Sequence, residues 1–409
     1  MKIGFYIHQS TLKAGGIFTY SIGILKLLLN SKEIEKICLI YSPEIKNEIL
    51  SILENPKIES LEIDRRKRNI KFSLMLSYFL HDNYLLIKNY FPDSNKFDFL
   101  RSLSFLINPY KKRINKKDIS LLHIPMQYSP VYSLNIPIIT TMHDLQEFHF
   151  PEFFSAQERL HRAINNKKSI EESSHIIASF NHIKSDILKY FRIDENKISV
   201  CPPPFTDSWF IKNEFADFNT VKNKYSLPDK FILYPAATWQ HKNHLNLLTA
   251  VHKLKNEGFL ISLVCTGNKT EYYENVLSKL ITKLNLNNNV KFLGIIPEME
   301  LISLYKLTKL VVIPTLYEAG SAPLYEAMRY NAPVICSGVT SLAETIANNQ
   351  FIFDPKDANS ISQLILKMLS DEKLLNDNIL NSQRRISELL KENYAENFCG
   401  VYEKIMHKG

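Results

Sequence analysis

Two carboxylates eight positions apart, Glu318 and Glu326, have the type and spacing to grip a polyhydroxylated ligand. Ionised carboxylates accept hydrogen bonds and donate none, which suits vicinal sugar hydroxyls. They lie in the stretch from Leu310 to Gly338. There an apolar, β-branched run, Leu310-Val311-Val312-Ile313, reads as a buried parallel strand that ends at Pro314. A short loop, Leu316 to Ser321, precedes a helix opening near Ala322-Pro323, where proline sits best in the first turn. The next strand begins at Pro333-Val334-Ile335-Cys336. The helix N-terminus offers unpaired N–H groups and partial positive charge, so a phosphate can dock there. Carboxylates beside it would repel phosphate, which leaves them for another part of the ligand. Spacing alone equally fits a solvated loop residue and a helix-surface residue.

Other residues have the chemistry to join them. Lys242, in Thr238-Trp239-Gln240-His241-Lys242-Asn243-His244, stands between an expected strand (Phe231 to Ala237) and an expected helix (His244 to Glu257). A cation at a helix N-terminus is unfavourable until an anion arrives, which hints at phosphate; a hydrated surface lysine is the alternative. His143-Asp144 follows an expected strand, Ile136 to Met142, at the edge where open α/β sheets bind ligands. The pair can donate to a sugar hydroxyl or to developing charge, or simply close a turn. Gly15-Gly16 follows the first expected strand, Lys2 to Gln9, and permits close backbone approach or a plain tight turn. It is not G-x-G-x-x-G, so the dinucleotide fingerprint is missing. Ser179, before an expected helix from Asn181 to Tyr190, has the type for an N-cap. No Asp-x-Asp pair occurs anywhere in the chain.

The elements that must position these residues alternate between strand-like and helix-like segments, which predicts an α/β fold with parallel sheets. The 409 residues suit two or three domains. Cys201-Pro202-Pro203-Pro204 breaks regular structure, and with the polar stretch to Asp229 it is the best linker. Hydrophobic content of 45% and charged content of 22% are those of an ordinary globular chain. No apolar run approaches the roughly 20 residues that span a bilayer. The N-terminus lacks a signal-peptide layout, and five scattered cysteines form neither a CxxC pair nor a disulfide framework. Reduced core thiols and a cytosolic location are expected. The net charge of +8 is uneven. Arg65-Arg66-Lys67-Arg68 with Lys71, and Lys111-Lys112-Arg113 with Lys116-Lys117, flank aromatic, leucine-rich segments in residues 64–117, the least readable part. Such residues suit anionic lipid head groups, or solvated loops around core helices. No nucleic-acid motif accompanies the charge.

In combination the motifs resemble a family. Glu318-x7-Glu326, within LYEAGSAPLYEAMRYNAPVICS, is similar to the E-x7-E signature of retaining GT-B glycosyltransferases of the family 4 type. The usual loop reads E-G-F-G-L-P; here it is Glu318-Ala319-Gly320-Ser321-Ala322-Pro323. Thr140-Thr141-Met142-His143-Asp144-Leu145, with Phe150-Pro151-Glu152-Phe153-Phe154, resembles T-x-H-D-L … P-E-x-F. The run YPAATWQHKNH resembles a subgroup whose lysine holds the donor diphosphate. Many relatives place an arginine several residues earlier, where this chain has Ala236-Ala237-Thr238. Either His241 substitutes or the loop amides carry more of the diphosphate.

The resemblance implies two Rossmann-like domains with parallel sheets facing across a cleft. Residues 1–204 would form the acceptor side and 205–391 the nucleotide-sugar domain, with a terminal helix, 392–409, crossing back. It implies a metal-independent, retaining transfer of a hexosyl-type sugar from a nucleotide-diphosphate sugar to a saccharide or lipid-linked saccharide, as in surface polysaccharide or lipopolysaccharide synthesis. His143, Lys242 and Glu318 are the implied catalytic residues, with Asp144 orienting His143. Gly15, Gly16, Gly267, Ala319, Gly320, Ser321, Ala322 and Glu326 are the implied donor-binding residues. Glu318 would hold the transferred sugar and Glu326 the ribose. No cofactor or metal is implied; peripheral contact with an anionic membrane is an expected partnership, nucleic acid is not. A non-catalytic sugar-nucleotide-binding assembly protein and a sugar-nucleotide epimerase are the other readings.

Overall fold

The computed structural model describes residues 1–7, 16–204 and 214–407. The chain divides into two compact units, Met1–Pro204 with Asn393–Gly409, and Phe205–Glu392. Each is built on one parallel sheet, as the alternating pattern predicts.

The first unit contains β1 (Lys2–Tyr6), β2 (Lys36–Tyr41), β3 (Ile58–Glu62), β4 (Leu121–Ile124), β5 (Ile138–Met142), β6 (His175–Ala178) and β7 (Ile198–Val200), in the order β3-β2-β1-β4-β5-β6-β7. β4, β5 and β6 are buried along their whole length, because helices cover both faces of a parallel sheet. Helix α1 (Gly16–Asn30) follows the β1 exit. Residues 64–117 form three helices, α2 (Arg68–Tyr90), α3 (Asp98–Ile107) and α4 (Pro109–Ile114). Helix α5 (Ala156–Glu172) opens on a capping box, in which the Ser155 hydroxyl accepts from the Glu158 amide and the Glu158 carboxylate accepts from the Ser155 amide. Helix α6 (Asn181–Tyr190) follows β6.

The second unit contains β8 (Phe231–Pro235), β9 (Ser262–Thr266), β10 (Val290–Phe292), β11 (Leu310–Ile313), β12 (Val334–Ser337) and β13 (Ile352–Phe353), in the order β10-β9-β8-β11-β12-β13. The apolar runs of β8 and β11 are buried throughout, and register places Leu310 beside Ile232. Helices α7 (His244–Asn256), α8 (Glu298–Leu307) and α9 (Ala322–Arg329) precede or follow these strands. Residues 271–283 are helical throughout and contain a π turn, Tyr273–Leu277, that runs into the segment Ser278–Lys283. The Tyr273 ring there packs on Phe292, 4.9 Å between centroids. The polar stretch read as linker holds a helix, Phe218–Tyr225, whose N-cap Asp217 accepts from the Thr220 amide.

The terminal helix, Tyr394–Met406, belongs to the first unit. Its Tyr402 hydroxyl lies 2.7 Å from His123 Nδ1 on β4, and His123 Nε2 lies 3.0 Å from the Thr141 hydroxyl on β5. Burial pushes the His123 pKa down to about 3, so the imidazole is neutral. All five cysteines are buried and free.

Candidate active site

In the second sheet the first strand, β8, has β9 on one side and β11 on the other, so the chain reverses its winding between β8 and β11. The loops leaving a parallel sheet at such a switch point diverge and leave a crevice for ligand. These are the loops that carry Lys242 and Glu318. They are stapled together. Asn243 adopts a left-handed conformation, φ +60°, and its Nδ2 donates to the carbonyls of Pro314 and Pro355, each at 2.8 Å. The Leu316 amide and the Thr315 hydroxyl donate to the His241 carbonyl at 2.8 and 3.0 Å.

Lys242 Nζ donates to both oxygens of Glu318, at 2.7 and 2.9 Å. The two side chains are largely buried, so the pair is less screened than a surface bridge. The cation that the sequence assigns to phosphate is thus held by the carboxylate assigned to sugar. The His241 pKa is pushed down to about 3 by burial and by Lys242.

Helix α9 starts directly after this loop. Ala319 is half-buried, Gly320 and Ala322 are exposed, and Ser321 is buried at the N-cap. Ser321 is only 2% exposed, and its hydroxyl has no hydrogen-bond partner among the described residues. A buried hydroxyl without a partner is costly, and its position at a helix N-terminus fits an acceptor arriving from outside. One turn into α9, Glu326 accepts from the Tyr305 hydroxyl of α8 at 2.7 Å. Burial raises the Glu326 pKa above the usual carboxylate range, and Tyr305 opposes that rise. Gly267, at the exit of β9, has φ +106°, and a Cβ there would lie 2.7 Å from backbone atoms of Ala236 and Ala237. Glycine is required at this position both by conformation and by the close approach of the β8 loop.

The first unit holds the remaining residues. His143 follows β5, with Nε2 donating to the Pro125 carbonyl at 3.0 Å and Nδ1 2.7 Å from the Ser179 hydroxyl. Nε2 must carry the proton, so Nδ1 accepts from Ser179. Burial lowers the His143 pKa, and the Tyr20 ring meets the imidazole edge-on, with centroids 4.5 Å apart. Asp144 does not orient His143. Its carboxylate pairs with Arg162 of α5, which also donates to Glu147 at 2.8 Å. Ser179 likewise serves His143 and does not cap α6, whose N-cap is Phe180. Gly16 is exposed, and among the described residues no atom lies within 4 Å of where a Cβ would stand. Gly15 lies outside the described residues.

Sequence reasoning missed Tyr305 and Arg162. Both act across helices through tertiary contacts, and neither sits in a motif that could have signalled it.

Two family models match in tandem, "Glycosyltransferase Family 4" over residues 77–208 and "Glycosyl transferases group 1" over residues 217–385. An O-antigen chain mannosyltransferase B of Escherichia coli is 26% identical over 373 residues, 91% of each chain. A glycosyltransferase from Rickettsia africae superposes with a TM-score of 0.65 at 18% identity, covering 100% of this chain and 99% of that one. HepE of Anabaena, solved with UDP-glucose, superposes with a TM-score of 0.65 at 14% identity, covering 99% of each chain.

Proposed function

We propose that this chain, which belongs to the GT-B glycosyltransferases of the family 4 type, moves a hexosyl-type sugar from a nucleotide-diphosphate donor to a saccharide or lipid-linked saccharide, retaining anomeric configuration without a metal. The O-antigen mannosyltransferase relative makes mannose the first hexose to test, and surface-polysaccharide or lipopolysaccharide synthesis the setting. The carrying observation is the Lys242–Glu318 contact beside the α9 N-terminus, at the switch point of the second sheet.

In this reading the donor diphosphate takes Lys242 from Glu318. Lysine, the α9 amides and the Ser321 hydroxyl neutralise the leaving group as it departs. Glu318, released, accepts from hydroxyls of the transferred sugar. Glu326 accepts from the ribose through the oxygen that Tyr305 leaves free. His143 would exchange the Pro125 carbonyl for a sugar hydroxyl as the acceptor of its Nε2–H, with Nδ1 still held by Ser179. The bond from the anomeric carbon to phosphate oxygen breaks, the acceptor oxygen bonds to the same face of that carbon, and the acceptor proton passes to the departing phosphate. Glu318 and Glu326 are not an acid/base couple of the glycosidase kind.

The test is transfer and hydrolysis across a panel of UDP- and GDP-sugars with excess chelator, using wild type, Lys242→Ala and Glu326→Ala. One nucleotide should be released by wild type, with the rate falling about 10²- to 10³-fold in Lys242→Ala, the scale of losing one charge-stabilising donor. Chelator-sensitive transfer would end the metal-independent reading. An unchanged rate in Lys242→Ala would remove the proposed leaving-group contact.

A further inference from the structure

Residues 64–117 carry thirteen lysines and arginines against four aspartates. The resulting +9 exceeds the +8 of the whole chain, so the rest of the molecule is close to neutral. The same segment concentrates apolar exposure. Of the twenty-one large hydrophobic residues exposed among the described residues, ten fall between Phe72 and Leu106.

The helices explain how. Helix α2 buries Ile70, Leu74, Ser77, His81 and Leu85, one stripe at helical spacing. Its other side, which solvent should make polar, presents Phe72, Met75, Leu76 and Phe79. Helix α3 is inverted: it buries Ser104 with Phe105, and exposes Phe99, Leu103 and Leu106 at i, i+4 and i+7. The two helices are locked by the Ser77 hydroxyl donating to the Ser104 carbonyl at 2.8 Å, so the exposed stripes are fixed features of a braced pair. At the α2 N-terminus, Arg68 and Lys71 line an open surface depression together with Phe72 and Met75. Neither cation makes an ion pair among the described residues, whereas neighbouring Arg66 is paired with Asp64. Apolar rings and unpaired cations therefore share one surface.

We infer that the outer face of α2 and α3 is a docking surface for an anionic lipid bilayer, with Phe72, Met75, Phe79 and Leu106 entering the acyl boundary and Lys67, Arg68 and Lys71 at the phosphate level. Charge complementarity decides the occupant. A nucleic acid would use the cations and leave the apolar stripes in water, and a second copy of the chain would bring the same +9 segment against itself. No helix among the described residues is long and apolar enough to span a membrane, so the pair lies in the interface plane. The inference does not depend on the identity of the donor.

The experiment is co-sedimentation of the full chain with phosphatidylcholine vesicles, with and without phosphatidylglycerol. Wild type should bind the anionic vesicles and be released by salt. Each basic residue near a charged surface contributes roughly fivefold, so the Lys67→Gln/Arg68→Gln/Lys71→Gln triple variant should bind about 100-fold more weakly. Phe72→Ser/Phe79→Ser should lose binding to the same vesicles at low salt. Donor hydrolysis in both variants should match wild type, which reports intact folding. Equal binding of wild type and triple variant, binding indifferent to phosphatidylglycerol, or absence of binding would each overturn the inference. A concentration-dependent dimer abolished by Phe72→Ser/Phe79→Ser, without vesicle binding, would assign the face to self-association instead.

Discussion

Tyr305→Phe removes one oxygen from a fully buried ring and leaves its packing in place. The lost hydroxyl donates to Glu326 at 2.7 Å; its other neighbour, the Pro323 carbonyl, is at a weak 3.5 Å. A hydrogen bond to a charged group contributes about 1.5–3 kcal/mol, so a loss of about 2 kcal/mol is expected near neutrality. For a unit of this size that lowers Tm by about 4–8 °C. The pH dependence follows from the direction of the Glu326 shift. Its folded pKa is raised by burial, with Glu298 adding to the rise. The ionised carboxylate is therefore a cost to folding at neutral pH, and that cost disappears as pH falls through the folded pKa. Loss of the tyrosine donor raises that pKa further. The Tm deficit of the variant should thus be largest near about pH 7.5 and shrink toward about pH 5. Calorimetry at both pH values, repeated in a Glu326→Gln background, completes a double-mutant cycle. With the neutral amide the deficit should fall to about 1 kcal/mol or less. Equal deficits in both backgrounds at both pH values would refute the reasoning, since tyrosine would then contribute only packing.

Gly267→Ala should destabilise the second unit by well over about 1 kcal/mol, through both φ +106° and the 2.7 Å backbone clash. Gly258→Ala, with φ +82° but open space around it, should cost distinctly less, and thermal melts of the two compare them directly. Because burial lowers the His143 pKa, transfer should show no inflection from His143 on the alkaline side of the ordinary imidazole range. A His143→Gln variant should lower the rate and keep the shape of the profile; an inflection present only in wild type would show that His143 titrates.

What was legible in the sequence follows the range of the interactions involved. Val311-Val312-Ile313 could only be a buried strand, and Pro323 marks a helix start, because local periodicity and backbone chemistry decide both. The parallel α/β architecture and the E-x7-E spacing follow at the same level. Side-chain partnerships were harder. Lys242 and Glu318 are 76 residues apart, and their contact depends on the β8 and β11 exits being neighbours in the sheet. His143 and Asp144 are adjacent in sequence, yet one turns inward to Ser179 and the other toward Arg162. Adjacency suggested a pair where chain geometry separates them. The apolar faces of α2 and α3 were obscured for a related reason. Their residues are hydrophobic nearly all round, and periodicity cannot say which side is inside.

The placement of the terminal helix has a consequence for biosynthesis. The chain leaves the first unit at Pro204 and rejoins it at Asn393. Everything the second unit needs has therefore emerged from the ribosome before the helix that carries Tyr402 and Phe398. Until residues 394–406 have emerged, His123 on the central strand β4 lacks the hydroxyl at its Nδ1 and the Phe398 ring beside it. The usual N-to-C order of domain maturation is inverted here, with the first unit completed last. A chain that terminates just after Glu392 would carry a finished second unit and a first unit with an open core.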